Sequence, residues 1–151
     1  MLFDTHAHMD DQQYDADRDQ LIRTFPAEDI ALFVNVGADM ESSRRSIALA
    51  EQYPFAYAAV GVHPEETAQL TQRDLEELRT LAGREKVVAI GEIGLDYHYG
   101  DVPKEIQQTW FRQQLELARE LGLPVIIHDR EAHGDCLRIV QEAGYHRGVF
   151  H

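Results

Sequence analysis

Short apolar runs alternate with helical patterns along the whole chain. Six runs read as strands: Leu2–Thr5, Ala31–Val36, Ala56–Val62, Val87–Gly91, Val125–His128 and Gly148–His151. They are short and mostly unbroken by polar residues, as in parallel strands covered on both faces. Between them, apolar residues recur at helical spacing. Asp39 is placed to cap a helix over Met40–Gln52, which must stop near Tyr53 because Pro54 follows. Thr71 and Asp74 form a capping box ahead of Leu75, Leu78 and Leu81, with Gly83 as the stop. Pro103 opens a long helix whose apolar face reads as Ile106, Trp110, Phe111, Leu115, Ala118 and Leu121, closed by Gly122. On that spacing Trp110 is a core residue rather than a platform for stacking bases. Asp135–Ala143, stopped by Gly144, and the shorter Asp17–Phe25 complete the set.

Strands separated by helices make repeated βα units, hence an α/β fold with a parallel sheet and right-handed crossovers. No linker, low-complexity segment or close repeat interrupts them, so residues 1–151 read as one domain. An open doubly wound sheet and a barrel both fit this alternation. The 151 residues can bury a core. They fall well short of the roughly 250 of a typical eight-stranded βα barrel.

Composition narrows the partners. At 44% hydrophobic and 27% charged residues the chain is an ordinary globular protein. Its single cysteine, Cys136, excludes a disulfide framework and points to a reducing compartment. No apolar run is long enough to span a membrane, and the acidic N-terminus (Asp4, Asp10, Asp11) is unlike a signal peptide, so the expected location is cytoplasmic. The formal net charge of −13 is opposite to the basic footprint of non-specific nucleic-acid binders. A phosphate-bearing substrate would need something else to hold it, and divalent metals are the obvious means.

The ionisable residues then change the picture. His6 and His8 end the first strand, His63 follows the third, Glu92 ends the fourth, His128 the fifth and His151 the sixth. In parallel βα folds the carboxyl ends of the strands share one rim, where active sites sit. These residues should therefore converge although they span most of the chain. His6 and His8, two apart on extended backbone, point to one side. A lone histidine after a strand is ordinarily a loop residue bonded to backbone. Recurrence at five or six strand ends favours metal ligation, and imidazole with carboxylate suits Zn²⁺ and similar divalent ions.

Four strings carry a family resemblance: Phe3-Asp4-Thr5-His6-Ala7-His8, Val60-Gly61-Val62-His63-Pro64, Ala89-Ile90-Gly91-Glu92-Ile93-Gly94-Leu95-Asp96-Tyr97, and Val125-Ile126-Ile127-His128-Asp129-Arg130-Glu131-Ala132. In that order they resemble the TatD family of metal-dependent deoxyribonucleases, and Gly148-Val149-Phe150-His151 looks like the start of its next motif. The resemblance implies a (β/α)8 TIM barrel, of which this chain holds about the first six strands. It implies two divalent ions (Zn, Mg, Mn or similar), one on His6 and His8 and one on His128 and His151, with Glu92 bridging as the catalytic carboxylate. His63 and Arg130 are the implied contacts to substrate phosphate; for Arg130 a structural ion pair is an equal alternative. Asp96 and Tyr97 would orient the ligands or stabilise their loop. The glycines around Glu92 are expected to permit a tight turn and a close approach of backbone, not to form a phosphate loop.

The implied activity is exonuclease-type hydrolysis of DNA. Its rivals are another ester or amide hydrolysis on the same rim, such as removal of an aminoacyl group from tRNA, and an inactive truncated barrel that only assembles or binds. The family pattern continues past the sixth strand to a further aspartate, which no residue here matches. Either the chain is an N-terminal fragment or another copy fills the gap, and the unpaired edges of the first and sixth strands invite self-association.

Overall fold

The computed structural model describes all 151 residues. The strands are β1 (Leu2–Ala7), β2 (Ile30–Val36), β3 (Ala56–Val60), β4 (Val87–Asp96), β5 (Val125–Arg130) and β6 (Gly148–Phe150). The helices are α1 (Arg18–Thr24), α2 (Met40–Ala50), α3 (Gln72–Ala82), α4 (Lys104–Leu121) and α5 (His133–Ala143), with a 3-10 turn over Pro64–Gln69. All five strand pairings are parallel, in the order β1-β2-β3-β4-β5-β6. A doubly wound sheet reverses its order at a switch point and carries helices on both faces. Here the order never reverses. One core cluster joins Phe33, Ala58, Ile90, Ile93 and Ile127 of the strands to Ile22, Ile47, Leu78, Phe111 and Ile139 from all five helices. The opposite face holds a second cluster from strands alone, Val34, Val36, Ala59, Ala89 and Ile126. This is the arrangement of a βα barrel, open between β1 and β6.

The local signals act as the sequence dictates. The Asp39 carboxylate accepts the Ser42 N–H while the Ser42 hydroxyl accepts the Asp39 N–H, and Thr71 and Asp74 cap α3 reciprocally. Gly122 and Gly144 end α4 and α5 in the left-handed conformation. No helix is long and apolar enough to cross a membrane.

Two expectations need correction. Glu92 does not end β4; the strand continues to Asp96, and Gly91 and Gly94 lie within it rather than in a turn. The close approach of backbone does occur: a Cβ on Gly94 would stand 2.1 Å from the His128 carbonyl oxygen, and its φ is +140°. The inner face of α4 is also rotated from the expected one. Ile106 is exposed and Trp110 is only half-buried, outside the core cluster. Their places are taken by Gln107 and Gln114, both buried. The Gln107 amide accepts the Asp96 N–H and donates to the Asp96 and Val102 carbonyls. Gln114 accepts the Val62 N–H and donates to the Val62 carbonyl. Backbone leaving β3 and β4 needs partners once the ladder ends, and two amides supply them.

Candidate metal centre

Glu92 sits where the β4–β5 register shifts, between Ile90 and Ile93, and its N–H donates to the Gly37 carbonyl at 2.8 Å. Such an irregularity re-aims a side chain out of the strand's alternation. The carboxylate is 4% exposed and surrounded by imidazoles. Its Oε2 faces His6 Nε2 at 3.4 Å and His8 Nε2 at 3.6 Å. Its Oε1 faces His128 Nδ1 at 2.9 Å, His63 Nε2 at 3.9 Å and, in close contact, His151 Nε2. The rim thus gathers every histidine expected there, divided between the two oxygens of one carboxylate.

Hydrogen bonds fix several of the rings. His8 Nδ1 meets the Val36 carbonyl at 2.9 Å, which puts its proton on Nδ1 and turns Nε2 inward as a lone pair. His128 Nε2 lies 2.8 Å from Asp96 Oδ2. His63 Nδ1 accepts the Glu65 N–H at 3.2 Å, leaving the proton of the neutral ring on Nε2. His6 and His8 approach through their Nε2 atoms at 2.9 Å, and His6 Nδ1 is buried with no partner.

The electrostatics follow. Burial alone would raise the Glu92 carboxyl, but contacts with His128, His151, His6 and His8 outweigh it and hold it well below the usual carboxylate range. The Glu92 contact raises His8. His128 is lowered by burial but raised overall by its bonds to Glu92 and Asp96. His63 is pulled down to about 4, burial outweighing the attraction of Glu92. Burial and the charge of Asp96 raise Glu65.

This donor set fits divalent cations. Nitrogen atoms of His6 and His8 face each other 2.9 Å apart beside a carboxylate oxygen, an arrangement held by a shared proton or by a metal. Metal ions displace such protons, and the imidazole and carboxylate chemistry suits first-row ions. The centre opens into a cleft of about 630 Å³ whose lining includes Asp10, Asp11, Asp39, Glu65, Glu66 and a single cation, Arg45.

Other expected residues lie elsewhere. Arg130 does not line this cleft; its guanidinium lies over the Tyr99 ring, 5.0 Å from the centroid, and donates to the Tyr99 hydroxyl at 3.2 Å. No carboxylate lies within ion-pair distance of Arg130, so the structural ion pair is not formed. Tyr97 turns away toward α5: its hydroxyl donates to Asp135 at 2.7 Å and accepts from Gln108 at 2.7 Å, and burial pushes its phenol up to about 12. It therefore anchors the strand end, while Asp96 alone touches a rim histidine. Sequence reasoning passed over Asn35, which is fully buried. Its amide accepts the Met9 N–H and donates to Asp10 and Ser46, tying the end of β1 to β2 and α2. An asparagine inside the apolar run Leu32-Phe33-Val34-Asn35-Val36 was the available signal. Arg45 and Glu65, by contrast, looked like ordinary surface charges.

The pattern of the TatD related DNase family matches residues 3–151. The metal-dependent hydrolase YabD of Bacillus subtilis is 46% identical over 144 residues, covering 95% of this chain and 56% of that protein. A protein named 3'-5' ssDNA/RNA exonuclease TatD, from Cronobacter sakazakii, is 35% identical, covering 92% and 53%. Among solved structures, the TatD homologue YJJV of Escherichia coli K12 superposes with a TM-score of 0.87 at 33% identity, covering 94% of this chain and 56% of that one. The chain thus spans a little over half the length of these relatives.

Proposed function

This chain belongs to the TatD related DNase family, and on that premise we propose that its rim is the centre of a divalent-metal-dependent hydrolase that removes nucleotides from an end of single-stranded DNA or RNA. The observation that carries the reading is the division of Glu92: Oε2 toward His6 and His8, Oε1 toward His128 and His151. One carboxylate shared in this way suits two cations, one with each histidine pair, because a common anion lowers their repulsion. When bound, the ions supply Lewis acidity and water activation at the phosphate.

The protein's own groups set the stage for that chemistry. Val36, through its carbonyl, fixes the tautomer of His8; Asp96 fixes the ring of His128. Burial of Glu92 keeps the carboxylate dry, so its attraction for cations is strong. His63 lines the cleft and, neutral at pH 7 with its proton on Nε2, would serve as a donor to a substrate phosphate oxygen. Arg130 could take such a role only by leaving Tyr99. The acidic lining would repel a polyanion; dications held by the histidines around Glu92 would offset that repulsion locally.

Incubation of the intact chain with end-labelled single-stranded DNA and RNA in Mn²⁺ or Mg²⁺ tests the reading. Stepwise shortening is expected, and Glu92→Gln should reduce it by more than ~100-fold, beyond what loss of a supporting hydrogen bond costs. Turnover of ester or amide substrates with intact oligonucleotides would redirect the rim to that chemistry. No turnover of any of them would leave a chain that only binds or assembles.

A further inference from the structure

We propose that His63, Glu65 and Asp96 form an additional divalent-cation site on the wall of the cleft, beside the Glu92 cluster and separate from the two ion positions described above. One donor atom from each residue lies within 4.8 Å of the other two. His63 Nδ1 is 3.8 Å from Glu65 Oε2 and accepts the Glu65 N–H at 3.2 Å, the long end of the hydrogen-bond range, a bond that a cation on Nδ1 would replace. Asp96 is 2% exposed.

Glu65 is the residue that the rest of the centre does not explain. Its carboxylate accepts no hydrogen bond, and no lysine or arginine nitrogen lies within 4.0 Å of it. It is held beside the buried carboxylate of Asp96 by the turn that begins at Pro64, with His63 capping that turn. Orientation of His128 accounts for Asp96, but it leaves Glu65 turned toward a like charge. Like charges at such distances repel unless a cation lies between them. Two carboxylates and one imidazole carry together the charge that neutralises a dication, and oxygen-rich sites of this kind select Mn²⁺ or Mg²⁺ over thiolate-seeking ions. The site is also connected to the main centre, since the His63 and His128 rings stand 4.3 Å apart, edge to face. A cation here would convert an acidic wall into an anchor for a phosphate next to the one being cleaved. That use rests on the proposed phosphodiesterase reading; the binding itself does not.

The test counts ions. Mn²⁺ bound per chain is measured by equilibrium dialysis with elemental analysis, and by titration calorimetry, on the intact protein and on Glu65→Gln, Glu66→Gln and Glu92→Gln. The expected result is one Mn²⁺ fewer per chain for Glu65→Gln, with the remaining affinities unchanged, and wild-type stoichiometry for Glu66→Gln, an exposed neighbour lining the same cleft. Equal counts for Glu65→Gln and wild type overturn the site. Equal losses in Glu65→Gln and Glu66→Gln also overturn it, because general charge would then be the cause. If Glu92→Gln abolishes binding that Glu65→Gln leaves intact, the main centre stands and only this inference falls.

Discussion

β4 and the edge strands β1 and β6 belong to one parallel sheet, yet they live in different environments. Nine of the ten residues of β4 are buried, whereas no residue of β1 or β6 is. Leu2, Phe3, Val149 and Phe150 remain exposed at the edges. The candidate metal centre draws on both regions. Glu92 comes from the most enclosed strand; His6, His8 and His151 come from the edges or just beyond them. The carboxylate is therefore enclosed by packing, whereas the edge histidines rest on a few polar contacts: His8 on the Val36 carbonyl, and His6 and His151 on Glu92. Two imidazoles make the difference concrete. His63, following an inner strand, is depressed to about 4 by burial, while His8, following an edge strand, is raised by Glu92. The same carboxylate faces both rings, but its contact with His8 outweighs burial there, whereas His63 stands 3.9 Å away, so burial wins only at His63.

The largest way to break this comparison is at the centre. Gly94→Ala puts a Cβ against the His128 carbonyl at a φ that L-residues rarely adopt. It should destabilise by more than about 4 kcal/mol, the range of severe core lesions, and circular dichroism in urea should find little folded protein. A fold that tolerates alanine here would mean that β4 and β5 can move apart.

Acid should separate the two imidazoles next. For the metal-free chain, the ordinary His63 value is 6.5 and the folded value about 4. Between these the unfolded chain binds the extra proton, so stability is lost as pH falls from 6.5 toward 4. The shift corresponds to roughly 3 kcal/mol in total. The raised His8 and His128 act in the opposite sense, adding stability that is complete below pH 6.5 and is lost as pH rises through their folded values. Urea midpoints of wild type and His63→Gln across pH 4 to 8 isolate the His63 contribution. The gap should shift in favour of the variant below pH 6.5, and a gap independent of pH contradicts the burial argument.

The smallest effect belongs to the edge. Phe3 is 58% exposed, so Phe3→Ser should change stability by no more than ~0.5 kcal/mol in the same denaturation experiment. A larger loss, above all one that depends on protein concentration, would show that the open edge is covered in solution.

Much of this was legible in the chain. Alternating apolar runs and caps such as Asp39 and Thr71 yield the elements because these signals are local. The histidines at strand ends pointed to one rim, since parallel connection places all such ends on one side. What stayed hidden depends on contacts between distant segments. The inner face of α4 looked apolar at Ile106 and Trp110, but hydrophobicity does not register that a strand end needs an amide, so Gln107 and Gln114 looked like surface residues. Arg130 carried the right chemistry for phosphate and sits instead on Tyr99, a neighbour that its motif does not reveal.

The sequence by itself determined the class of fold, the family and the donor types, because propensity, periodicity and motif order are written residue by residue. Periodicity left the open sheet and the barrel both possible and the motifs implied the barrel; the tertiary structure established it, through strand order and helices on one face. It alone assigned the oxygens of Glu92 to separate histidine pairs and brought Glu65 up to Asp96. Those facts depend on register and depth, and neither can be read from a chain until distant strands have paired.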